Sequence, residues 1–378
     1  MKILICCGGY NSFKENKVTI FALDQAKALC DYGHDVRICA GDVRSIRRLR
    51  PWGRWQYKID GIKVYTANFP CGPLPNCIFR PVNRWVARRC YDLATQDGWT
   101  PDIVHAHFYQ EADGYVDLVK QKGIPFVVTE HCSEYIEPHE HESAFEITHK
   151  LYRSVNGLLV VSNALGDAIK KYDGINPKII SNVVDVKSFD RKRMLDNKIF
   201  RFVCCAALIK SKAQDAVIRA FVKLKKHNAE LIIMGDGPER SNLENLSRQL
   251  GISDRVRFTG KYKREQMAEE LAKANCFVLA SRFETFGVVY IEAMAAGVPV
   301  IATDCGGPRD FVCDKVGVLV PVDDVDALAG AMQNMVDGKV KYDSEEIKQY
   351  AIDNFSPMVI AEKLTGVYEN VLGERWNS

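Results

Sequence analysis

The chain has 378 residues, 47% of them hydrophobic and 26% charged, and a formal net charge of +3. That length favours two domains, that composition excludes disordered and fibrous classes, and so small a charge gives no argument for a nucleic-acid binder. Charge is nevertheless uneven: residues 36–100 hold 12 Lys or Arg against 4 Asp or Glu, and residues 101–149 hold 2 against 10, so one end of the first domain is expected to be polarised. The 13 cysteines show no C-x-x-C spacing, and the adjacent pairs Cys6-Cys7 and Cys204-Cys205 lie in apolar runs, where a thiol behaves as a small hydrophobe. With no signal-like or membrane-length apolar stretch, the expected location is cytoplasmic.

Lys2 to Cys7 is a short apolar run closed by Gly8-Gly9, the pattern of a buried parallel strand and a tight turn. A helix is predicted from about Val18 to Tyr32, ending at Gly33, after which HDVRICA resumes a strand. Further strands are predicted at Ile62 to Thr66, Ile103 to His105, Phe126 to Thr129 and Leu158 to Val161, most of them separated by helix-like segments. Such alternation predicts a doubly wound parallel sheet. The polar stretch VKSFDRKRMLDNK then reads as a linker over residues 186–199.

Beyond it the scheme repeats. Strands RFVCCAAL, ELIIMG, Val256 to Thr259, CFVLA and VPVIA alternate with helices at Asp215 to His227, Glu239 to Leu250, Arg264 to Ala274 and a segment containing Glu292. The reading is therefore an α/β protein with two Rossmann-like domains, 1–185 and 200–354, and a C-terminal segment 355–378 whose helix packs back on the first. The glycines of the first half do not form G-x-G-x-x-G, and no acidic residue ends HDVRICA, which argues against a dinucleotide site.

The chemistry concentrates in SRFETFGVVYIEAMAAGVPVI, residues 281–301. From Val288 to Ala296 nearly every position is apolar, as in a helix enclosed on all sides, yet Glu292 lies within it and needs donors to offset its burial. Just upstream, Thr285, Phe286 and Gly287 stand where a loop enters that helix, so their amides offer an anion site at the positive end of the helix dipole. Two carboxylates, Glu284 and Glu292, flank it. Acids beside a phosphate site do not chelate the anion; they accept hydrogen bonds from hydroxyls on either side of it, which is the layout of a nucleotide sugar.

This block, E-x7-E followed by EAMAAGVPVIATDCGG, resembles the signature of retaining glycosyltransferases of family 4, which have the two-domain GT-B fold with facing Rossmann-like halves. The resemblance extends to the Gly8-Gly9 loop, the histidine in VVTEH, NVVD, LIKSKAQD, MGDGPER and VRFTGK. It implies that Glu292 holds the ribose, that Glu284 with the amides of Phe286 and Gly287 holds the sugar and distal phosphate, and that Lys212 binds the diphosphate. It further implies that His131 lies beside the donor sugar and that Gly9 approaches the diphosphate, with His131, Glu284 and Lys212 as the catalytic set. One position departs from the family: Ala207 stands where an arginine is usual, which removes one charge contact to the diphosphate. The implied reaction is front-face attack by an acceptor hydroxyl, with retention, no cofactor and no metal.

Other features have plainer readings. His105-Ala-His107 and His139-Glu-His141 suggest metal ligands, but no third ligand is evident, so they are expected on the acceptor side or the surface. The segments RSIRRLRPWGRW and RPVNRWVARR are either solvated faces or a peripheral contact with an anionic membrane carrying a lipid-linked acceptor. The sequence thus predicts sugar transfer from a nucleotide diphosphate donor to a saccharide or lipid-linked saccharide, with no nucleic-acid partner, in bacterial surface polysaccharide or glycolipid synthesis. Two alternatives stay open: a non-hydrolysing nucleotide-sugar epimerase and a catalytically silent nucleotide-sugar binder.

Overall fold

A computed structural model describes residues 1–11, 16–44, 51–71, 75–137, 142–196, 198–225 and 228–376. The chain forms two compact units, Met1–Val183 with Pro357–Ser378, and Val184–Ser356.

The first unit contains strands β1 (Lys2–Asn11), β2 (Asn16–Val18), β3 (Asp35–Arg44), β4 (Gly53–Ile59), β5 (Ile62–Pro70), β6 (Ile103–His107), β7 (Phe126–Glu130), β8 (Gly157–Val160) and β9 (Lys178–Ile179). Helices α1 (Ile20–Asp31), α2 (Asn76–Thr95), α3 (Tyr109–Lys122), α4 (Glu142–Tyr152) and α5 (Asn163–Asp173) connect them. The sheet order is β4-β5-β3-β1-β6-β7-β8-β9, with β2 on β1. All pairs are parallel except β1 with β2 and β4 with β5. Because β3 and β6 lie on opposite sides of β1, the chain reverses direction there, and the carboxyl ends of β1 and β6 open at that switch point.

In the second unit, α6 (Val186–Phe189) precedes β10 (Phe200–Cys205), α7 (Gln214–Val222), β11 (Ala229–Met234), α8 (Arg240–Gln249), β12 (Val256–Gly260), α9 (Arg264–Lys273), β13 (Cys276–Leu279), α10 (Val288–Ala295), β14 (Val300–Thr303), β15 (Gly317–Val320), α11 (Val325–Val336) and α12 (Ser344–Phe355). The sheet order is β12-β11-β10-β13-β14-β15, all parallel. Its switch point is between β10 and β13.

Residues 186–199, read as a linker, pack instead within the second unit. Phe189 is fully buried, the main chain of Met194 bonds to Ala272, and Arg193 donates to the carbonyls of Leu271 and Ala274 at 2.9 and 2.6 Å. Those carbonyls end α9, where the helix's own amides cannot reach, so the polar composition reflects capping. The last helix, α13 (Pro357–Trp376), contributes Ile360, Ala361, Leu364 and Val367 to a core shared with Ala22, Ala26 and Leu29 of α1 and with Ile3 and Ile5 of β1.

Part of the charge imbalance noted in the sequence is met by packing between neighbouring helices. Arg80 of α2 grips Asp113 of α3 with two bonds of 2.9 and 2.7 Å, and Arg84 meets Asp113 and Asp117. Two residues of the basic stretch thus pair with two of the acidic stretch. No helix of the described residues is long and apolar enough to cross a membrane.

Candidate functional site

The second unit places Lys212 and Glu284 on loops that leave the two strands at its switch point. Lys212 ends a short 3-10 turn after β10, and Glu284 lies between β13 and α10. The Lys212 ammonium is 2.7 Å from Glu284 Oε1, and Ser281 Oγ donates to the same oxygen at 3.0 Å. Glu284 is fixed at the backbone too, its carbonyl accepting from Gly307 N at 2.8 Å. The glycine pair that ends the motif is required because Gly306 has φ 122° and a Cβ on Gly307 would lie 2.5 Å from Phe286 Cα.

Gly287 caps α10 with φ 93° and ψ 58°, a left-handed conformation that favours glycine. A Cβ there would meet the Tyr290 ring at 2.7 Å. Tyr290 is itself buried, its hydroxyl donating to the Leu279 carbonyl at 2.9 Å. Phe286 is buried against Phe311 and Phe355. The loop is therefore held by packing, while the amides of Thr285, Phe286 and Gly287 make no hydrogen bond with the described residues. Three such donors at a helix entrance, beside a lysine, are an arrangement that could hold an anion.

Glu292 is the fifth residue of α10, and six consecutive residues from Tyr290 to Ala295 are buried. The sequence pointed to ribose hydroxyls for this carboxylate and named no side chain, and the fold supplies one: Arg264 Nε, at the start of α9, stands 3.5 Å from Glu292 Oε1, with its Nη1 3.9 Å from Asp185. At such distances the pair is electrostatic contact rather than tight hydrogen bonding. Ala207, in the place of the family arginine, is exposed, and its carbonyl accepts from Gln214 at 3.0 Å.

Gly9 and His131 belong to the first unit. Gly9 pairs with Val18, and a Cβ on it would lie 2.7 Å from both Ala40 Cβ and the Lys17 carbonyl, so close packing alone demands glycine there. His131 follows β7 and is nearly buried; its Nε2 is 2.9 Å from His107 Nδ1. The rings of Phe21 and Phe108 lie 4.3 and 5.1 Å from it, centroid to centroid. Phe108 has φ 68°, a strained value for a bulky residue. Burial holds both His107 and His131 well below the usual imidazole pKa, His107 down to about 3.

Sequence reasoning missed Glu130, which positions this corner. Its buried carboxylate accepts from the amides of His131 and Cys132 at 2.8 Å each, from Tyr109 N at 2.9 Å and from Tyr152 OH at 2.6 Å. Burial pushes the Glu130 carboxyl up, and those donors oppose the shift. An acid closing a strand of five buried residues was the available signal, the same one that singled out Glu292.

His105 and His107 prove to be buried, neither a surface pair nor an open acceptor wall. His139 and His141 lie outside the described residues. Among the described residues no group of three or more His, Cys, Asp or Glu is arranged to hold a metal ion. Of the Arg/Trp segments, residues 45–50 are outside the description, whereas Trp52 and Trp85 are exposed and Arg89 stacks over Trp85.

Comparison with known proteins bears on the fold and the class of enzyme. The profile described as Glycosyl transferases group 1 matches residues 185–354, and that described as Glycosyltransferase Family 4 matches residues 18–188. The chain is 27% identical over 374 residues to a Bacillus subtilis protein named "Putative teichuronic acid biosynthesis glycosyltransferase", covering 92% of this chain and 90% of that one. A 144-residue stretch is 35% identical to a GDP-mannose-dependent alpha-(1-6)-phosphatidylinositol monomannoside mannosyltransferase of Mycolicibacterium smegmatis, covering 35% of this chain and 38% of that one. The structure superposes on sucrose-phosphate synthase of Thermosynechococcus elongatus with a TM-score of 0.80 at 18% identity, covering 99% of both chains.

Proposed function

We propose that this chain, a glycosyltransferase of the GT-B fold, transfers a sugar from a nucleotide diphosphate donor to a saccharide or lipid-linked saccharide hydroxyl, with retention at the anomeric carbon. The observation that carries the reading is the 2.7 Å contact of Lys212 with Glu284 beside three amides with no acceptor among the described residues.

Breaking the bond between sugar and diphosphate puts negative charge on the departing phosphate. The amides of Thr285, Phe286 and Gly287 would receive it with little reorganisation, and Lys212, held beside Glu284, would turn toward it as the charge develops. In the free enzyme Lys212 rests on Glu284. A bound phosphate would draw the ammonium toward itself and leave Glu284 oxygens to accept from sugar hydroxyls. Glu292 would accept from the ribose diol while keeping Arg264 as its counter-ion, and Gly9 and His131 would act on the diphosphate and donor sugar. Within this scheme the attacking hydroxyl loses its proton to the leaving phosphate, and neither metal nor cofactor takes part.

The biosynthetic setting is bacterial surface polysaccharide or glycolipid, in keeping with the relatives' printed names. A peripheral contact with anionic lipid would use exposed Trp52, Ile78, Trp85 and Arg89, since Arg80 and Arg84 are engaged by acids of α3. Flotation with anionic and neutral vesicles at low salt tests this part separately.

Thermal melting against a panel of UDP and GDP sugars tests the donor site. One nucleotide class should raise Tm in wild type and much less in Lys212→Ala. A panel without any shift, with the protein folded, would refute the donor reading.

A further inference from the structure

The three buried histidines of the first unit do not all serve one purpose, and their bonding separates them. His105 is complete in itself: its Nδ1 faces two donors, Gln25 Nε2 at 3.1 Å and Tyr368 OH at 2.7 Å. With the Gln25 amide donating to Nδ1, the arrangement favours hydrogen on Nε2, which faces Thr129 Oγ1 at 2.7 Å. His107 is incomplete. Its Nδ1 meets His131 Nε2 at 2.9 Å, and its Nε2 is buried with no partner among the described residues.

Two neutral imidazoles that share one contact place a single N–H between them. If His131 donated, His107 would accept at Nδ1 and carry its own hydrogen on Nε2, an N–H enclosed without an acceptor. If His107 donates from Nδ1, its Nε2 is left with an unpaired acceptor. Buried orphan N–H groups are rarer than under-satisfied acceptors, so the second arrangement is favoured. The hydrogen bond made at one imidazole nitrogen sets what the other presents.

We infer that His107 is a positioning residue that fixes His131 as the Nδ1–H tautomer, so that His131 offers a hydrogen-bond donor, not an acceptor, to an oxygen of the bound donor sugar or its phosphate. The rings of Phe21 and Phe108 hold the His131 plane in that orientation. The functional half of this inference rests on the reading of His131 given above, while the tautomer itself can be measured without turnover.

The test uses the full chain labelled with 15N at histidine, with long-range proton–nitrogen correlation spectra assigned through His131→Gln. Wild type should show His131 protonated at Nδ1 and bare at Nε2. In His107→Leu, His131 should shift toward the Nε2–H form and kcat should fall about tenfold or more, with KM for the donor held, as for a contact made in the transition state. In His107→Asn, whose amide can donate from near the place of Nδ1, both tautomer and rate should recover. A wild-type spectrum with Nε2 of His131 protonated overturns the inference whatever the variants do. An unchanged tautomer in a folded His107→Leu protein overturns it as well. If the tautomer behaves as stated but His131→Gln transfers sugar at the normal rate, the reading of His131 fails and the positioning claim loses its function.

Discussion

Lys212 and Glu284 are 72 residues apart in sequence and 2.7 Å apart in space. The doubly wound topology of the second sheet explains the meeting, since β10 and β13 are neighbours whose carboxyl ends deliver both loops to one point. If that ammonium stabilises the leaving phosphate, Lys212→Ala should lower kcat by about 10²–10³, the usual cost of one preorganised donor at a developing charge. Steady-state rates at saturating donor decide this. A loss under about threefold would reduce the lysine to a structural partner of Glu284.

Glu292 has Arg264 as a neighbour, so two roles compete for it. A purely structural pair predicts that Glu292→Ala and Arg264→Ala lower Tm similarly, that the double variant is no worse, and that nucleotide affinity is untouched by either. The ribose role predicts a further weakening of nucleotide binding in Glu292→Ala alone, by about tenfold or more, since a hydrogen bond to a charged group contributes about 1.5–3 kcal/mol. Calorimetric titration of the three variants with the preferred nucleotide separates these outcomes.

Ala207 is exposed on the loop after β10, so an arginine can be accommodated there. Ala207→Arg should raise kcat/KM by about tenfold through one added charge-assisted bond to the diphosphate. Unchanged or reduced kcat/KM would show that this enzyme's loop is organised without that contact.

The buried histidines make a prediction about pH. Burial lowers the folded pKa of His105, His107 and His131 below the usual value of about 6.5. The unfolded chain therefore binds more protons than the folded one below that value, and stability must fall as pH drops from about 6.5 toward the folded value of about 3 for His107. Melting curves between pH 7.5 and pH 5 should show Tm decreasing with acid, a trend weakened in His105→Gln. A Tm independent of pH over that range in wild type would contradict the neutral, buried assignment.

The core strands of both sheets were legible because parallel strands covered on both faces read as continuous apolar runs, as in Lys2 to Cys7 and CFVLA. The edge strand β4 was not, because its alternate residues face solvent. Its signal lay in the turn instead: Asp60 and Gly61 both have positive φ, 48° and 85°, the Asp-Gly hairpin pattern. Glu284 and the Gly287 entrance could be singled out from one contiguous motif, whereas Lys212, 72 residues upstream, was picked out only through the family resemblance. Arg264 could not, since nothing in sequence indicates which distant loop a switch point gathers; Ser281 stood inside the motif and His107 was noted beside His105, but their contacts with Glu284 and His131 are set by the fold. Residues 186–199 misled because a strap that caps a helix with arginine has the same polar composition as a free linker.

The measurement that bears most directly on the whole account is product analysis with the nucleotide sugar found by thermal shift, a saccharide acceptor and no added metal. The account predicts acceptor-dependent release of nucleoside diphosphate and, by NMR of the product, a new glycosidic bond with the donor's anomeric configuration kept. Interconversion of donor sugars without an acceptor, an inverted linkage, or a donor that binds and never reacts would contradict it.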